Sequence, residues 1–382
     1  MSELQTLWLP LTLCGLAIAV LLVDVLRPVH RAAPSGRDLG LLVATGLAGL
    51  LVASLIVDGH AEGRREAAYG AYVGDAFTIY LQRLFLVAGL LAALAGLADV
   101  AKRTPRRQGE YWLMLLSSLL GMVLLPAARD LVLLVLCFEL MGLPLYILAA
   151  YAKTDPNAED PQVRSLAAEA SIKLYLVGAT STAVTLFGLA LLTGMAGTTR
   201  LDALGSAPLQ PLSALGLLFV LGGIGYKIGM APFHMWVPDT YQGARLPFVA
   251  FLSVAPKAAG LVMMAAIFVG SFGAQAAVWL PPLLFLAFLS MAIGNLMALP
   301  QTDLRRLLGY SGIAQMGYAL VAMAANGSFG LGMVLFFVAT YTFTNFGAFV
   351  VLHLASEAGG GFGFDGLAGL WRPAPGLAIA LA

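Results

Sequence analysis

Glu139, Lys173, Lys227 and Lys257 each stand inside a long apolar stretch, Glu139 in DLVLLVLCFELMGLPLYILAAY and the three lysines in later ones. An ionised group at bilayer depth costs roughly 2.5–3.5 kcal/mol on insertion scales, so it is rare there without a partner and a task. One carboxylate and three amines in apolar surroundings are the parts of a charge or proton pathway. A carboxyl group resists ionisation when desolvated and favours it beside an ammonium, and a site where both effects act can hold or release a proton.

A structural reading stands beside each functional one. Glu139 could be a protonated or hydrogen-bonded packing residue, with Pro144 loosening its helix five residues on. Lys227 sits in GGIGYKIGMAPFHMWVPDTYQGARLP, where Gly222, Gly223, Gly225 and Gly229 are followed by Pro232 and Pro238. Gly and Pro at this density point to an interrupted helix, tolerated in a membrane only where protein or a hydrated cavity satisfies the freed backbone groups. A desolvated amine there exchanges its proton near neutral pH; the alternative is a lysine snorkelling to the interface. Lys257 follows Pro256 too deep in its segment to snorkel easily, whereas Lys173 lies near a segment start, where snorkelling and function compete. His234, Asp239 and Tyr241 follow the break after Lys227; a His can relay protons, but a lone His-Asp pair in a loop is more often structural. Arg83 reads as an interfacial or packing residue. Ser311, Gln315, Tyr318, Tyr341, Thr344 and Asn345 would line a hydrated path or bond between helices.

The segments that must position these groups recur along the chain. Hydrophobic residues make up 60% of the 382 and charged residues 11%, far from a soluble domain, and apolar stretches of about 20 residues fit a ~30 Å hydrocarbon core. The spacing predicts an all-α polytopic membrane protein with 11 transmembrane helices: Leu7–Leu26, Leu39–Val57, Phe77–Leu97, Tyr111–Leu125, Asp130–Tyr151, Ala167–Met195, Pro211–Pro232, Pro247–Phe268, Val278–Leu299, Leu304–Ala325 and Ser328–Leu354. A twelfth segment starts near Pro373 with no polar tail before Ala382, the pattern of a fragment of a longer protein. The first segment has an acidic start and no small-residue cleavage site, so it reads as a retained helix rather than a signal peptide.

The net charge of +1 implies no nucleic-acid partner, and Cys14 and Cys137, both in apolar segments, give neither a disulfide framework nor metal-ligand spacing. Loops after odd-numbered segments carry Arg27, Arg31, Arg37, Lys102, Arg103, Arg106, Arg107, Lys153, Arg164, Arg245, Arg305, Arg306 and Arg372; those after even-numbered ones carry Arg64, Arg65, Arg129 and Arg200. That bias places the N-terminus outside and the odd-segment loops in the cytoplasm, counting Pro300–Asp303 as a true loop. No loop is large enough for a separate domain, and GGGFGFDG at Gly359–Gly366 reads as a flexible connection, lacking the strand-turn-helix context of a phosphate cradle.

Several of these words carry a resemblance. GYKIGMAPFHMWVPDTYQGA, PFVAFLSVAPKAAG, GNLMALPQTDLRRLLGYSGIAQMGY and FELMGLPLYILAAY resemble the antiporter-like proton-pumping membrane subunits of NADH-quinone oxidoreductase (respiratory complex I), and among them subunit N. The resemblance implies a fold of inverted five-helix repeats with a broken helix 7: residues 1–110 as N-terminal helices, 111–270 as the first repeat and 271–382 as an incomplete second one. It implies that Glu139 pairs with Lys227 and modulates its hold on a proton, that Lys257 is the central carrier, and that Lys173 bridges to the cytoplasmic entrance. It further implies a bacterial inner membrane, neighbouring membrane subunits as partners, and no cofactor bound by this chain, with NAD and quinone used elsewhere in the complex. Gln315 stands where the family often has His. Two other functions remain open: a cation/proton antiporter subunit, and an inert scaffold.

Overall fold

Backbone groups in a bilayer find no water, so an apolar chain satisfies them within helices. A computed structural model of the chain, describing residues 3–26, 37–57, 64–104, 107–154, 161–206, 208–325, 327–359 and 361–381, shows 11 helices among them long and apolar enough to cross a membrane. We label these α1 (Trp8–Leu26), α2 (Asp38–Val57), α3 (Ala76–Arg103), α4 (Gln108–Leu124), α5 (Leu131–Ala149), α6 (Pro161–Ala196) and α7 (Pro211–Ile228). After a short α8 (Trp236–Gly243) come α9 (Leu246–Met264), α10 (Ala276–Ala298), α11 (Leu304–Ala324) and α12 (Gly327–Glu357). Short polar residues start several of them. Asp75 accepts from Thr78 N at 2.8 Å, Asp130 from Val132 N at 2.8 Å and Asp303 from Arg305 N at 2.9 Å, each taking up an otherwise unpaired first-turn donor.

The bundle is arranged around α9, every residue of which is buried. It packs against α3, α5, α7 and α12, while α6 lies along α7 and α10 along α11. Small residues allow the closest approaches: Ser181 of α6 donates to the Gly223 carbonyl of α7 at 2.7 Å, where a β-carbon would collide with Thr185. The crowded glycines of α7 thus serve packing, and one alone breaks the helix. Gly229 takes φ 73°, a left-handed conformation that side chains disfavour, and ends α7 four residues before the expected Pro232. The freed groups are met by neighbours: Ala231 N donates to Ser290 Oγ of α10 at 2.9 Å, and Trp236 Nε1 to the Tyr226 carbonyl at 2.8 Å.

Other departures from the sequence reading have local causes. α5 runs unbroken through Pro144, so that proline does not open the helix. α6 begins at Pro161, and its 36 residues span roughly 54 Å; Lys173 is therefore more than three turns in. The eighth apolar segment ends in a π-helical stretch, Ala265–Ser271. An antiparallel hairpin, β1 (Arg65–Ala67) with β2 (Tyr72–Gly74), went unforeseen, and it bridges through Tyr72 to Ala128. Pro300–Asp303 is a true loop. The glycine-rich stretch, apart from Gly360, which lies outside the described residues, is docked rather than free. Leu304 N donates to the Phe362 carbonyl at 2.8 Å, and the Arg305 guanidinium lies 3.8 Å from the Phe362 ring centre. Of the loop cations, Arg27, Arg31 and Arg106 fall outside the described residues, as does Ala382.

Candidate functional site

α5 and α7 present Glu139 and Lys227 to each other, with Lys227 Nζ 3.7 Å from Glu139 Oε1. Both are held. Thr182 of α6 donates to Glu139 at 2.7 Å, and Lys227 donates to the Tyr146 hydroxyl at 2.8 Å. The ammonium also lies 5.0 Å from the Phe138 ring centre and 5.2 Å from that of Tyr146, positions where an aromatic face attracts a cation. Room for this arrangement comes from missing side chains: a β-carbon on Gly142 would run into Lys227 Nζ, and one on Gly178 into the Tyr146 hydroxyl. A cavity of about 20 Å³ beside the pair, bordered by Gly142, Tyr146, Gly178, Trp236 and Pro256, has room for one water molecule. It touches Lys227 on one side and Pro256 of α9 on the other.

Lys257 is fully buried, and among the described residues its Nζ has no hydrogen-bond partner. It lies 5.5 Å from the Tyr241 ring centre. A β-carbon on Gly312 of α11 would stand 3.0 Å from both Lys257 Nζ and the Tyr341 hydroxyl, which places those two polar atoms within about 6 Å of each other. The hydroxyls of Tyr241 and Tyr341 are likewise buried without partners. Buried polar groups of this kind take water as their ligand.

Lys173 does not join Glu139 and Lys227. It pairs with Glu169 and Asp239, each at 2.5 Å, and Asp239 also holds Arg306 at 2.6 Å. This network ties α6 to α8 and α11. Asp239 is therefore engaged by Lys173 and Arg306, while the His234 ring stands edge-on to Tyr310 at 6.4 Å between centres. Arg83 donates to Ser54 Oγ at 2.8 Å and to the Ser54 carbonyl at 2.7 Å, a packing link between α3 and α2. The polar set of the tenth and eleventh segments divides. Tyr341 and Asn345 are buried, while Tyr318 and Thr344 are exposed on the outer surface and Ser311 and Gln315 are half-buried. Cys14 and Cys137 are free, and no group of three or more His, Cys, Asp and Glu among the described residues could hold a metal ion.

The family described as NADH:quinone oxidoreductase/Mrp antiporter, transmembrane, matches residues 128–382. The chain belongs to this family. It is 36% identical to NADH-quinone oxidoreductase subunit N of Moorella thermoacetica over 388 aligned residues, covering 100% of this chain and 77% of the relative. A chain of respiratory complex I from Thermus thermophilus superposes with TM-score 0.76 at 30% identity, over 97% of this chain and 76% of that one. A chain of the Mrp complex from Dietzia shares the fold, with TM-score 0.78 at 20% identity over 94% of this chain and 65% of that one. The antiporter-like family thus accounts for the all-helical architecture and the multi-pass membrane position. The charges that sequence singled out fall into three places: Glu139 with Lys227, Lys257 apart beside two tyrosines, and Lys173 in an ion network. Tyr146 and Thr182, which hold the first pair, were not singled out; neither was Asp99, buried 3.5 Å from Arg245. Asp99 follows AALAGLA in helix α3, and an acid so placed in an apolar run was a readable signal.

Proposed function

We propose that the chain is a proton-translocating membrane subunit of an NADH-quinone oxidoreductase, moving protons through Glu139, Lys227 and Lys257. The observation that carries this is the pairing of Lys227 on α7 with Glu139 on α5, both helices packed against α9, which holds a fully buried Lys257 with no hydrogen-bond partner among the described residues. Among the described residues no carboxylate pairs with Lys257 to stabilise a proton there, so its occupancy responds to hydration and to charge nearby. Lys227 can lean toward Glu139 or release it, because the carboxylate and the Tyr146 hydroxyl are alternative partners. Opening and closing that ion pair changes the field at Lys257. Lys173, tied to Asp239, stands at the end where protons would arrive.

In this reading NADH oxidation and quinone reduction belong to other subunits, and the chain contributes membrane transport alone. Its partners are neighbouring antiporter-like membrane subunits and lipid. The N-terminus lies outside a bacterial inner membrane, and the broken α7 with α4–α9 forms the first of two inverted repeats, after an N-terminal unit of 1–110. The test is Lys257→Ala in the assembled complex, with proton uptake and NADH oxidation followed together in membrane vesicles. Both should fall together, and wild-type pumping would overturn the proposal. A cation/proton antiporter role uses the same groups; purification without redox subunits and sodium-dependent exchange would favour it instead.

A further inference from the structure

Tyr341, Asn345, Phe349, His353 and Glu357 recur every four residues, each beside the next, in a stripe that winds gradually around α12 from its buried side to its exposed one. The two ends of that stripe meet different surroundings. At one, Tyr341 neighbours Lys257, and Asn345 Nδ2 donates to Ser253 Oγ at 2.8 Å, one turn before Lys257 on α9. At the other, His353 and Glu357 border a cavity of about 500 Å³ with Asp99, Arg103, Arg245 and Arg305. Between the ends stands Phe349, fully buried, its ring edge-on to Tyr241 at 5.4 Å between centres. Tyr241 in turn is the ring against which Lys257 lies. The helix rises about 12 Å from His353 to Asn345, too far for a direct hydrogen bond.

We propose that this cavity is a proton-intake site serving Lys257, with His353 as the donor and Phe349 against Tyr241 as an apolar gate. The inference rests on Lys257 being a proton carrier. The other ionisable groups around the cavity are committed. Asp99 is bound to Arg103 at 2.9 Å and Arg245 at 3.5 Å, while Glu357 is bound to Arg103 and, at 3.3 Å, to Lys102. Arginines do not release protons. His353 lines the same cavity beside Asp99, Glu357 and Arg103 and is in no ion pair among the described residues, so it can accept and release a proton without breaking one. In the transfer, an N–H bond of the protonated imidazole breaks and an N–H bond forms on the neutral Lys257 amine. Water admitted beside Phe349 carries the proton, His353 is recharged from the cavity, and no electrons move. A dry constriction blocks such a chain, and a wetted one conducts.

The experiment uses the intact complex in vesicles, with assembly checked on native gels. Phe349→Ser should raise the passive proton leak, without turnover, on the order of tenfold, the effect of a barrier about 1.4 kcal/mol lower. Adding Lys257→Ala should abolish that leak. His353→Leu should slow NADH-driven proton uptake by a similar factor. If Phe349→Ser does not assemble, Phe349→Leu, which removes the ring from Tyr241, should show the leak in milder form. A wild-type leak in assembled Phe349 variants, a leak that survives Lys257→Ala, or full pumping in His353→Leu would each overturn the proposal. Lost pumping in Lys257→Ala with full pumping in His353→Leu refutes this route alone; full pumping in Lys257→Ala refutes the functional reading beneath it.

Discussion

Glu139→Gln removes one charge and almost nothing else. Two unit charges 3.7 Å apart attract by roughly 4.5 kcal/mol at an effective dielectric of about 20, and by about 1.1 kcal/mol in bulk water. At 1.36 kcal/mol per tenfold, the preference for the closed ion pair should fall by between roughly sevenfold and roughly two-thousandfold. Side-chain exposures of 9% for Lys227 and 22% for Glu139 place the pair nearer the larger figure. Stranding a buried charge costs 3–5 kcal/mol in stability when nothing else holds it. Here the amine keeps the Tyr146 hydroxyl and two ring faces, and the amide oxygen still accepts from Thr182. Assembly should therefore survive while coupled turnover drops at least severalfold. The assay is NADH oxidation and vesicle acidification measured together, normalised to assembled complex on native gels. Wild-type pumping in a fully assembled variant would refute the pairing argument, and failure to assemble would make Glu139 a structural residue.

Tyr146→Phe deletes the 2.8 Å bond to Lys227 but keeps the ring, and the loss of a bond to a charged group, about 1.5–3 kcal/mol, should slow proton uptake roughly tenfold or more with little change in melting temperature. Gly142→Ala places a methyl where the Lys227 ammonium sits; because that obstacle is the end of a flexible side chain, the fold should persist while pumping falls, as vesicle assays would read. Lys257→Arg should be as defective as Lys257→Ala in the same assay, since guanidinium keeps its proton. In the loop before α11, burial pushes the Asp303 carboxyl up, but the Arg305 guanidinium pulls it further down, for a net lowering. Its stabilising contribution is therefore present above the unfolded carboxylate range and lost as pH falls through the lowered folded value. Acid melting of the purified complex should show a step that is absent in Asp303→Asn.

Charge in an apolar run carries a large free-energy signature, which is why Glu139, Lys227 and Lys257 could be read before any coordinates. The helices were legible for the same reason, since a stretch of about 20 apolar residues has few other fates. Tyr146 and Thr182 left no such mark: a hydroxyl in an apolar helix can bond within its own turn, so its partner is decided only by how α5, α6 and α7 pack. For Asp239 the structural reading was legible but its partners were not, since Lys173 and Arg306 lie 66 and 67 residues away. Pro144 pointed to a loosened helix, yet α5 runs through it, whereas Gly229, one glycine among the four, ends α7 because it alone of them adopts positive φ. The β1–β2 hairpin has strands of three residues, too short for any periodicity to announce it.

α9 meets other protein along its whole length, while α1, α2 and α10 bury less than a third of their apolar cores. Helices that face lipid must follow the bilayer, tilting when it thins or thickens. α9 has no such obligation, because its depth is set by its neighbours. Longer or shorter acyl chains should therefore rock the outer helices while leaving Lys257 at a constant distance from Tyr241 and Tyr341. The helix that holds Lys257 is mechanically insulated from the surrounding bilayer, and under the proposed function proton coupling should be indifferent to lipid chain length.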